Sequence, residues 1–157
     1  MSLSRVEKRD KKGMDPLRIQ VVRFDGDRGK SIQMIRSRVF SGEQNVDPAI
    51  DFDGRDPGAV HVLAIKDGAA VGTGRMLDDG HLGRIAVVRE ARGLGIGEQV
   101  VLALIKEASQ RRISRVFLGA QEHAVGFYEK LGFLTYGSSF EEAGIVHVHM
   151  EKYLDMR

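Results

Sequence analysis

A glycine-rich segment, Arg92-Gly93-Leu94-Gly95-Ile96-Gly97, constrains this chain more than any other feature of its sequence. It follows the apolar run Ile85-Ala86-Val87-Val88 and precedes a helical pattern from Glu98 to Glu107. The segment therefore predicts a strand, a tight turn and a helix. Such a turn directs unpaired backbone N–H groups and the positive end of a helix dipole at one point, where a phosphate or diphosphate neutralises them. Glycines adopt backbone conformations that other residues avoid and let the ligand approach closely.

Two common phosphate-binding turns do not fit this segment. A P-loop needs Lys-Ser or Lys-Thr after its last glycine, whereas Gly97 is followed by Glu98. A dinucleotide-binding turn has the spacing G-x-G-x-x-G, whereas Gly93, Gly95 and Gly97 alternate with single residues. The pattern that does fit is Arg/Gln-x-x-Gly-x-Gly/Ala, which Arg92, Gly95 and Gly97 match.

A second segment, Phe127-Tyr128-Glu129-Lys130-Leu131-Gly132-Phe133, lies downstream of the glycine-rich turn. By itself it predicts a short helix that ends at Gly132, a left-handed C-cap, before a strand. The two segments, in this order, resemble the diphosphate loop and the F-Y-x-K-x-G-F segment of the GCN5-related N-acetyltransferase (GNAT) family.

Three further stretches resemble the ElaA and YjcF-like branch of that family. They are Arg38-Val39-Phe40 with Glu43-Gln44-Asn45-Val46, the acidic stretch from Asp51 to Asp56, and Gly144-Ile145-Val146-His147-Val148-His149-Met150. The resemblance covers roughly residues 17 to 154.

Composition narrows the class of protein further. The 157 residues suit one domain, and we expect a basic N-terminal tail at 1–15 followed by a single GNAT domain at 16–157. Hydrophobic residues make up 42% and charged residues 29% of the chain, so a packed core without a membrane span is expected. The absence of cysteine excludes disulfides and thiolate chemistry, and the net charge of +2 does not favour nucleic-acid binding. A cytoplasmic location is the expectation.

The hydrophobic pattern predicts an α/β (α+β) fold. We expect strands at Leu17 to Phe24, Ala59 to Lys66, Ala69 to Leu77, Leu82 to Val88, Val116 to Leu118, Phe133 to Ser138 and Ile145 to Lys152. Helices are expected at Lys30 to Phe40, Gly97 to Arg111 and Glu122 to Leu131, with a loop at Gly42 to Pro57. This order matches the GNAT fold, a mixed, mostly antiparallel central sheet of about seven strands with helices on both faces.

The first helix and the fifth strand carry more detailed expectations. In the helix, Ile32, Met34, Ile35 and Val39 have helical spacing, and the side chains of Arg36 and Arg38 are expected to point elsewhere. The strand at Val116 to Leu118 follows Leu82 to Val88 through a helical crossover, so it should lie parallel and beside it. If these two strands then diverge, a cleft opens between them.

The resemblance implies that acetyl-coenzyme A (acetyl-CoA) binds in this cleft as co-substrate. Its diphosphate would lie on the amides of Arg92, Gly93, Leu94, Gly95, Ile96 and Gly97, with added charge from Arg92. Its pantetheine arm would pair beside Ile85, Ala86 and Val87 like an extra strand. The amide near Val87 or Val88 would polarise the thioester carbonyl. Arg89 stands where the family often has proline, which leaves open which of these two amides does so.

Acetyl transfer to an amine needs a neutral amine, a stabilised oxyanion and a proton for the leaving thiolate. In the family the tyrosine at the position of Tyr128 lies near the thioester sulfur, and an unperturbed phenol is protonated at neutral pH. His123 is the candidate base, with Glu43, His81 or a relaying water as alternatives, and Glu43 and Gln44 resemble residues of the branch that face the acceptor. His147 and His149 share one face of a strand, but without a third ligand they do not support a metal site, and none is expected.

Three functions remain open from the sequence alone. The first is an N-acetyltransferase that acts by direct transfer on a small-molecule or peptide amine whose identity the sequence does not reveal. The second is a non-catalytic acyl-CoA-binding regulatory domain, and the third a structural module without affinity for coenzyme A. The family resemblance also allows a homodimer.

Overall fold

The computed structural model describes residues 16–155, so the expected basic tail at 1–15 lies outside the described residues. The strands are β1 (Arg18–Val22), β2 (Val60–Lys66), β3 (Ala69–Met76), β4 (Leu82–Val87), β5 (Arg115–Gln121), β6 (Leu134–Glu142) and β7 (Ile145–Tyr153). The helices are α1 (Gly26–Arg36), α2 (Pro48–Asp51), α3 (Ile96–Gln110) and α4 (Val125–Lys130). No helix within the described residues has the length and apolar character needed to cross a membrane.

The seven strands form two antiparallel groups that meet at one point. The first group has the order β1-β2-β3-β4 and the second the order β5-β7-β6. They are joined by a parallel bridge between His81 and Phe117, where the Phe117 amide donates to the Gly80 carbonyl at 3.1 Å. The predicted parallel contact between the fourth and fifth strands is therefore made at the start of β4, beyond which the strands separate.

Helices cover both faces of the first group of strands, as predicted. Gly72 and Gly74 of β3 lie under α3, where a Cβ on Gly74 would come within 2.8 Å of a Val100 methyl. The absence of these two side chains lets the helix pack directly on the strand. Arg75 points to the opposite face, because side chains alternate along a strand, and there it approaches α1.

The first helix differs from the prediction in position and in its buried face. It begins at Gly26 and continues beyond Arg36 as a π-helical turn, Ser37–Glu43, where the Gln44 amide donates to the Val39 carbonyl at 3.2 Å. Ile32, Ile35 and Val39 are buried as expected. Met34 is 42% exposed and Arg36 is 0% exposed, so both of those expectations were wrong.

Arg36 is buried because it belongs to a cluster of ion pairs under the sheet. Its guanidinium donates to the Asp51 carboxylate at 3.1 Å and to the Asp56 carboxylate at 2.7 Å. Arg75 donates to Asp53 at 2.7 Å and to Asp56 at 3.0 Å. Buried charges persist only when they are paired and hydrogen-bonded, and each charged side chain of this cluster is paired, although Oδ2 of Asp51 is buried without a hydrogen-bond partner among the described residues. We call Arg36, Asp51, Asp53, Asp56, Arg75 and Arg84 the ionic cluster.

The segment predicted as a loop from Gly42 to Pro57 is shaped by this cluster. It contains α2, whose N-cap Asp47 accepts from the Ala49 amide at 2.9 Å, with Pro48 in the first turn. The sequence pattern missed this helix because it is only one turn long and one of its carboxylates, on Asp51, faces inward.

Two strands of the second group are longer than predicted. β5 extends through Gly119 and Gln121, and β6 continues to Glu142 beyond a register shift between Tyr136 and Phe140. A glycine within β5 and the irregularity in β6 interrupt the alternating apolar pattern from which strands are read.

Candidate active site

A cavity of about 460 Å³ lies where β4 and β5 separate. Residues of both strands line it, among them Ile85 of β4 and Gly119 of β5. The turn after α1 contributes Phe40 and Gln44, and α4 contributes Tyr128. The cavity is thus bordered by the motif segments that the sequence singled out after α1 and in α4.

The backbone of β4 presents an amide to the cleft at Val87. The Val88 amide is already occupied, because it donates to the Val71 carbonyl at 2.9 Å. Val87 lies opposite Gly72. Since hydrogen bonds in an antiparallel pair alternate along the strand, the N–H of Val87 points away from β3, towards the cleft. Of the two amides considered from the sequence, Val87 is the one that is free to polarise a carbonyl there.

A bulge at Arg84 gives β4 its direction at the cleft. The register with β3 shifts between Thr73 and Arg75, and Arg84 has a φ of 53°, which is rare for a residue with a side chain. Its guanidinium holds the bulge in place by donating to the carbonyls of Asp51 at 3.1 Å and Ile50 at 3.0 Å. Burial lowers the pKa of Arg84, and the nearby positive charge of Arg75 lowers it further.

The glycine-rich turn at the N-terminus of α3 leaves a set of backbone amides unpaired. Gly93 and Gly95 have φ values of 82° and 78°, in the left-handed region, and α3 begins at Ile96 without a side-chain cap. Among the described residues, none accepts a hydrogen bond from the amides of Gly93, Leu94 or Gly95. With the first free amides of the helix, they form a cluster of donors at its positive end.

Arg92 connects this turn to the segment after α1. Its Nε donates to the Val87 carbonyl at 2.9 Å, and its Nη2 donates to the Glu43 carboxylate at 3.0 Å. Arg89 lies 3.8 Å from the same carboxylate. Glu43, one of the alternative bases, is thus held in ion pairs with two arginines.

Tyr128 lies in α4 with its ring packed inside the protein. The ring meets Phe127 and Phe133 edge-on, at centroid distances of 4.9 and 5.6 Å. Burial raises the pKa of Tyr128, so the phenol is protonated throughout the neutral range. Within the described part of the chain, its hydroxyl has no hydrogen-bond partner. A protonated phenol at the cavity wall is able to donate a proton to a group bound there.

The other polar candidates from the sequence also border the cavity. His123 lies on the exposed turn Glu122–Ala124 between β5 and α4. Gln44 accepts a hydrogen bond from the Gln121 side chain at 2.9 Å. His81 is stacked on Phe117 at a centroid distance of 4.8 Å, and burial lowers its pKa.

One wall of the cavity is a row of stacked rings that the sequence did not identify as part of the site. Phe140 of β6 stacks on His147 and His149 of β7, at centroid distances of 5.4 and 4.3 Å. Gly119 leaves the space that Phe140 fills, since a Cβ there would lie 2.7 Å from the ring. The alternation His147-Val148-His149 placed both imidazoles on one face but gave no sign of the opposing ring. Among residues 16–155, no group of three or more His, Asp or Glu residues is arranged to hold a metal ion.

Comparison with known proteins identifies the family of this chain. The family described as "Acetyltransferase (GNAT) domain" matches residues 38–154. Relatives include the N-acetyltransferase YjcF of Bacillus subtilis, itself uncharacterized, which is 35% identical over 122 residues that span 75% of this chain and 87% of YjcF. Protein ElaA of Escherichia coli is 32% identical over 131 residues, or 78% of this chain and 85% of ElaA.

Solved structures show the same fold. The crystal structure of Escherichia coli ElaA superposes with a TM-score of 0.78 at 28% identity, covering 87% of this chain and 99% of ElaA. An acyl-CoA N-acyltransferase from Pseudomonas aeruginosa gives a TM-score of 0.78 at 27% identity, with the same coverage of 87% and 99%. The resemblance found in the sequence motifs is confirmed, and the chain belongs to the GNAT acetyltransferase family.

Proposed function

We propose that this protein transfers the acetyl group of acetyl-CoA directly to a primary amine of a small molecule or peptide. The proposal is supported by two sets of backbone donors, one on either side of the connection between β4 and α3. They are the unpaired amides at Gly93 to Gly95 and the outward-facing amide of Val87. A diphosphate on the first and a thioester carbonyl on the second would occupy both sets of donors.

The family resemblance and this geometry together support a set of residues that would hold acetyl-CoA. The amides of Gly93, Leu94, Gly95, Ile96 and Gly97 would bind the diphosphate, whereas the Arg92 amide, which was expected to join them, already donates to the Arg89 carbonyl at 3.2 Å. For the Arg92 side chain to contact the phosphates, its ion pair with Glu43 would have to rearrange. Ile85, Ala86 and Val87 would flank the pantetheine arm, and the Val87 amide would polarise the carbonyl.

The reaction is a nucleophilic attack of a neutral amine on the thioester carbon. A C–N bond forms, the carbonyl oxygen becomes an oxyanion that the Val87 amide stabilises, and the C–S bond then breaks. Tyr128 gives its phenolic proton to the departing sulfur, and a proton from the amine nitrogen replaces it. His123, the candidate base from the sequence, borders the cavity from an exposed turn.

The decisive experiment measures thiol release from acetyl-CoA with a panel of primary amines, together with calorimetric binding of coenzyme A. Amine-dependent thiol release supports acetyl transfer, and mass spectrometry of the acceptor should show the added acetyl group. Binding of coenzyme A without release across the panel would favour the non-catalytic regulatory domain. Absence of binding would contradict the proposed role of the glycine-rich turn. Because the chain has no cysteine, the thiol reagent detects only coenzyme A.

The setting of this reaction is also part of the proposal. Acetyl-CoA is a metabolite of the cytoplasm, and we expect the protein to act there. A homodimer stays an expectation from the family resemblance, which sedimentation of the purified protein would test.

A further inference from the structure

We propose that His147 is the general base that removes a proton from the acceptor ammonium group, and that its Nε2 atom performs this step. The inference rests on the proposed acetyl transfer and names a group that the sequence did not place in the reaction. Three observations support the inference: the hydrogen bond of the His147 ring, the position of His147 along the strands, and the groups that surround the ring.

The hydrogen bond of His147 fixes which ring nitrogen accepts a proton. Nδ1 lies 2.7 Å from the carbonyl oxygen of Ile145. A carbonyl oxygen only accepts hydrogen bonds, so Nδ1 carries the hydrogen and Nε2 of the neutral ring has the free lone pair. Among the described residues, none forms a hydrogen bond with Nε2. The ring is also largely buried, with 9% of the residue exposed, and it borders the cavity.

The strand register places His147 level with the proposed thioester site. β4 and β5 are in parallel contact at His81 and Phe117, and Gln121 lies four residues further along β5. Because the Arg84 bulge adds a residue to β4, this position is level with Ile85 and Ala86. Gln121 is the direct partner of His147 in β7. His147 therefore lies one strand beyond β5, at the height where β4 presents Ile85 and then Val87 to the cleft.

Stacking holds the imidazole in a fixed orientation. Phe140 stacks on the imidazole with an interplanar angle of 22°. On the neighbouring strand β5, the Gln121 side chain donates a hydrogen bond to the Gln44 side chain. A base whose ring is held by packing loses little entropy when the acceptor binds.

Other titratable groups face the cavity near His147, but each differs from it in exposure, ion pairing or packing. The titratable or charged groups that face the cavity from β7, β6, the turn after β5 and β4 are His149, Tyr136, Glu142, His123, His81 and Arg84. Arg84 is neutralised by Asp51 and Asp53. Glu142 and His123 are solvent-exposed, and His149 is stacked between Phe140 and Tyr136.

Each proton in the proposed step has a defined origin and destination. Nε2 takes one proton from the acceptor –NH₃⁺, which leaves a neutral amine whose lone pair forms the C–N bond. A second N–H proton compensates the proton that Tyr128 gives to sulfur as the C–S bond breaks. The net reaction releases one proton, which leaves the imidazolium for solvent.

The test compares the pH dependence of turnover in the full-length protein and in His147→Gln, with His149→Gln as the matched control on the same face of β7. We expect the wild-type kcat to rise with pH along an acidic limb, because a general base acts only in its unprotonated form. In His147→Gln this limb should disappear and kcat should fall roughly 100-fold, within the usual range for loss of a general base. His149→Gln should keep the limb.

Chemical rescue distinguishes a base from a residue that only supports the fold. In His147→Ala, added imidazole should restore part of the lost turnover, whereas His149→Ala should show no such rescue. A merely structural role would not respond to imidazole in this way. For the wild-type protein, histidine ¹⁵N spectra at pH 8 should show His147 with hydrogen on Nδ1, a measurement that does not depend on any variant folding.

Several outcomes would overturn the inference. It fails if His147→Gln retains the wild-type pH profile, if the limb vanishes in His149→Gln instead, if imidazole gives no rescue, or if His147 carries its hydrogen on Nε2. If the wild-type protein transfers acetyl groups and any of these results is found, the inference about His147 fails and the proposed function stands. A wild-type protein that binds coenzyme A but never acetylates an amine would contradict both.

Discussion

Tyr128 is the single residue whose proposed chemistry depends most on burial. Its ring is enclosed by apolar neighbours while its oxygen has no partner among residues 16–155. Because burial raises the pKa of this phenol, its ionisation lies above the pH range in which the amine chemistry takes place. We therefore expect no loss of turnover from deprotonation of Tyr128 up to about pH 10, the ordinary pKa of the side chain.

Tyr128→Phe should lower kcat far more than it weakens binding of coenzyme A. The substitution keeps the edge-on contacts with Phe127 and Phe133 and removes only the proton donor. A loss of roughly 100-fold in kcat is the expected size for a general acid. Steady-state kinetics and calorimetry measure the two effects separately, and unchanged turnover would remove Tyr128 from the mechanism.

At the scale of elements, the turn before α3 should behave as a binding element that contributes little to the stability of the fold. Gly95→Asp introduces a negative charge next to the unpaired amides, where nothing lies within 4 Å of the new Cβ. The charge should repel a diphosphate and compete for the amides, so affinity for coenzyme A should fall at least 10-fold by electrostatics at a helix terminus.

Gly68→Asp provides a closely matched control for that variant. Gly68 has the same φ of 78° and equally open surroundings, but it lies in the hairpin turn between β2 and β3. Both variants should lose similar amounts of stability through backbone strain, and only Gly95→Asp should lose affinity. Equal affinity of the two variants in calorimetry would contradict the assignment of the turn.

The contact between α3 and β3 should resist any added side chain. Gly74→Ala would bring a Cβ within 2.7 Å of an Ile85 methyl and 2.8 Å of a Val100 methyl. Overpacking of this kind costs about 1–3 kcal/mol of unfolding free energy. Gly83→Ala, a strand glycine with nothing within 4 Å of the new Cβ, should cost much less in urea unfolding.

At the scale of the whole molecule, the ionic cluster and its neighbour His61 make stability depend on pH. Hydrogen bonds and charge from Arg75 lower the pKa of Asp53, while for Asp56 burial opposes the larger combined effect of Arg36 and Arg75, which lowers its pKa. These carboxylates stabilise the fold above their unfolded pKa of about 4, and that contribution is lost as the pH falls further.

His61 should make the protein lose stability at a higher pH than the carboxylates do. Its Nε2 lies 2.9 Å from the Asp56 carbonyl, its Nδ1 is buried without a partner in the described part of the chain, and burial lowers its pKa. The unfolded chain takes up a proton near pH 6.5 and the folded chain does so only at lower pH. Unfolding free energy should therefore decrease below pH 6.5 by up to about 1.4 kcal/mol per pH unit.

A substitution at His61 tests this origin of the pH dependence. His61→Phe should flatten the slope of unfolding free energy between pH 6.5 and 5, because it removes the titrating ring while keeping an aromatic contact with Phe24. His123→Gln, at an exposed histidine, should keep the wild-type slope. Chemical denaturation across this pH range measures all three proteins, and an unchanged slope in His61→Phe would contradict the assignment.

The sequence predicted those parts of the molecule that local pattern determines. The order of the predicted strands and helices, the glycine-rich turn and the C-cap at Gly132 all depend on neighbouring residues, and each is present. Burial of Arg36 escaped prediction because it depends on carboxylates from another part of the chain, and the one-turn helix at Pro48–Asp51 escaped because its inward-facing Asp51 depends on pairing with Arg36. The stacked wall at Phe140 escaped for the same reason, since its rings belong to two strands and need a glycine on a third.

The missing side chain at Gly72 fixes the spacing between the two groups of amides that are proposed to bind one ligand. A Cβ there would meet Ile96 at 3.0 Å, so the first residue of α3 sits directly over the strand residue that faces Val87. Rigid packing, rather than a pliable linker, therefore sets how far the helix terminus stands from the outward amide of β4. A ligand that contacts both the N-terminus of α3 and the Val87 amide must be long enough to span the distance between them. A shorter ligand would contact only one of the two.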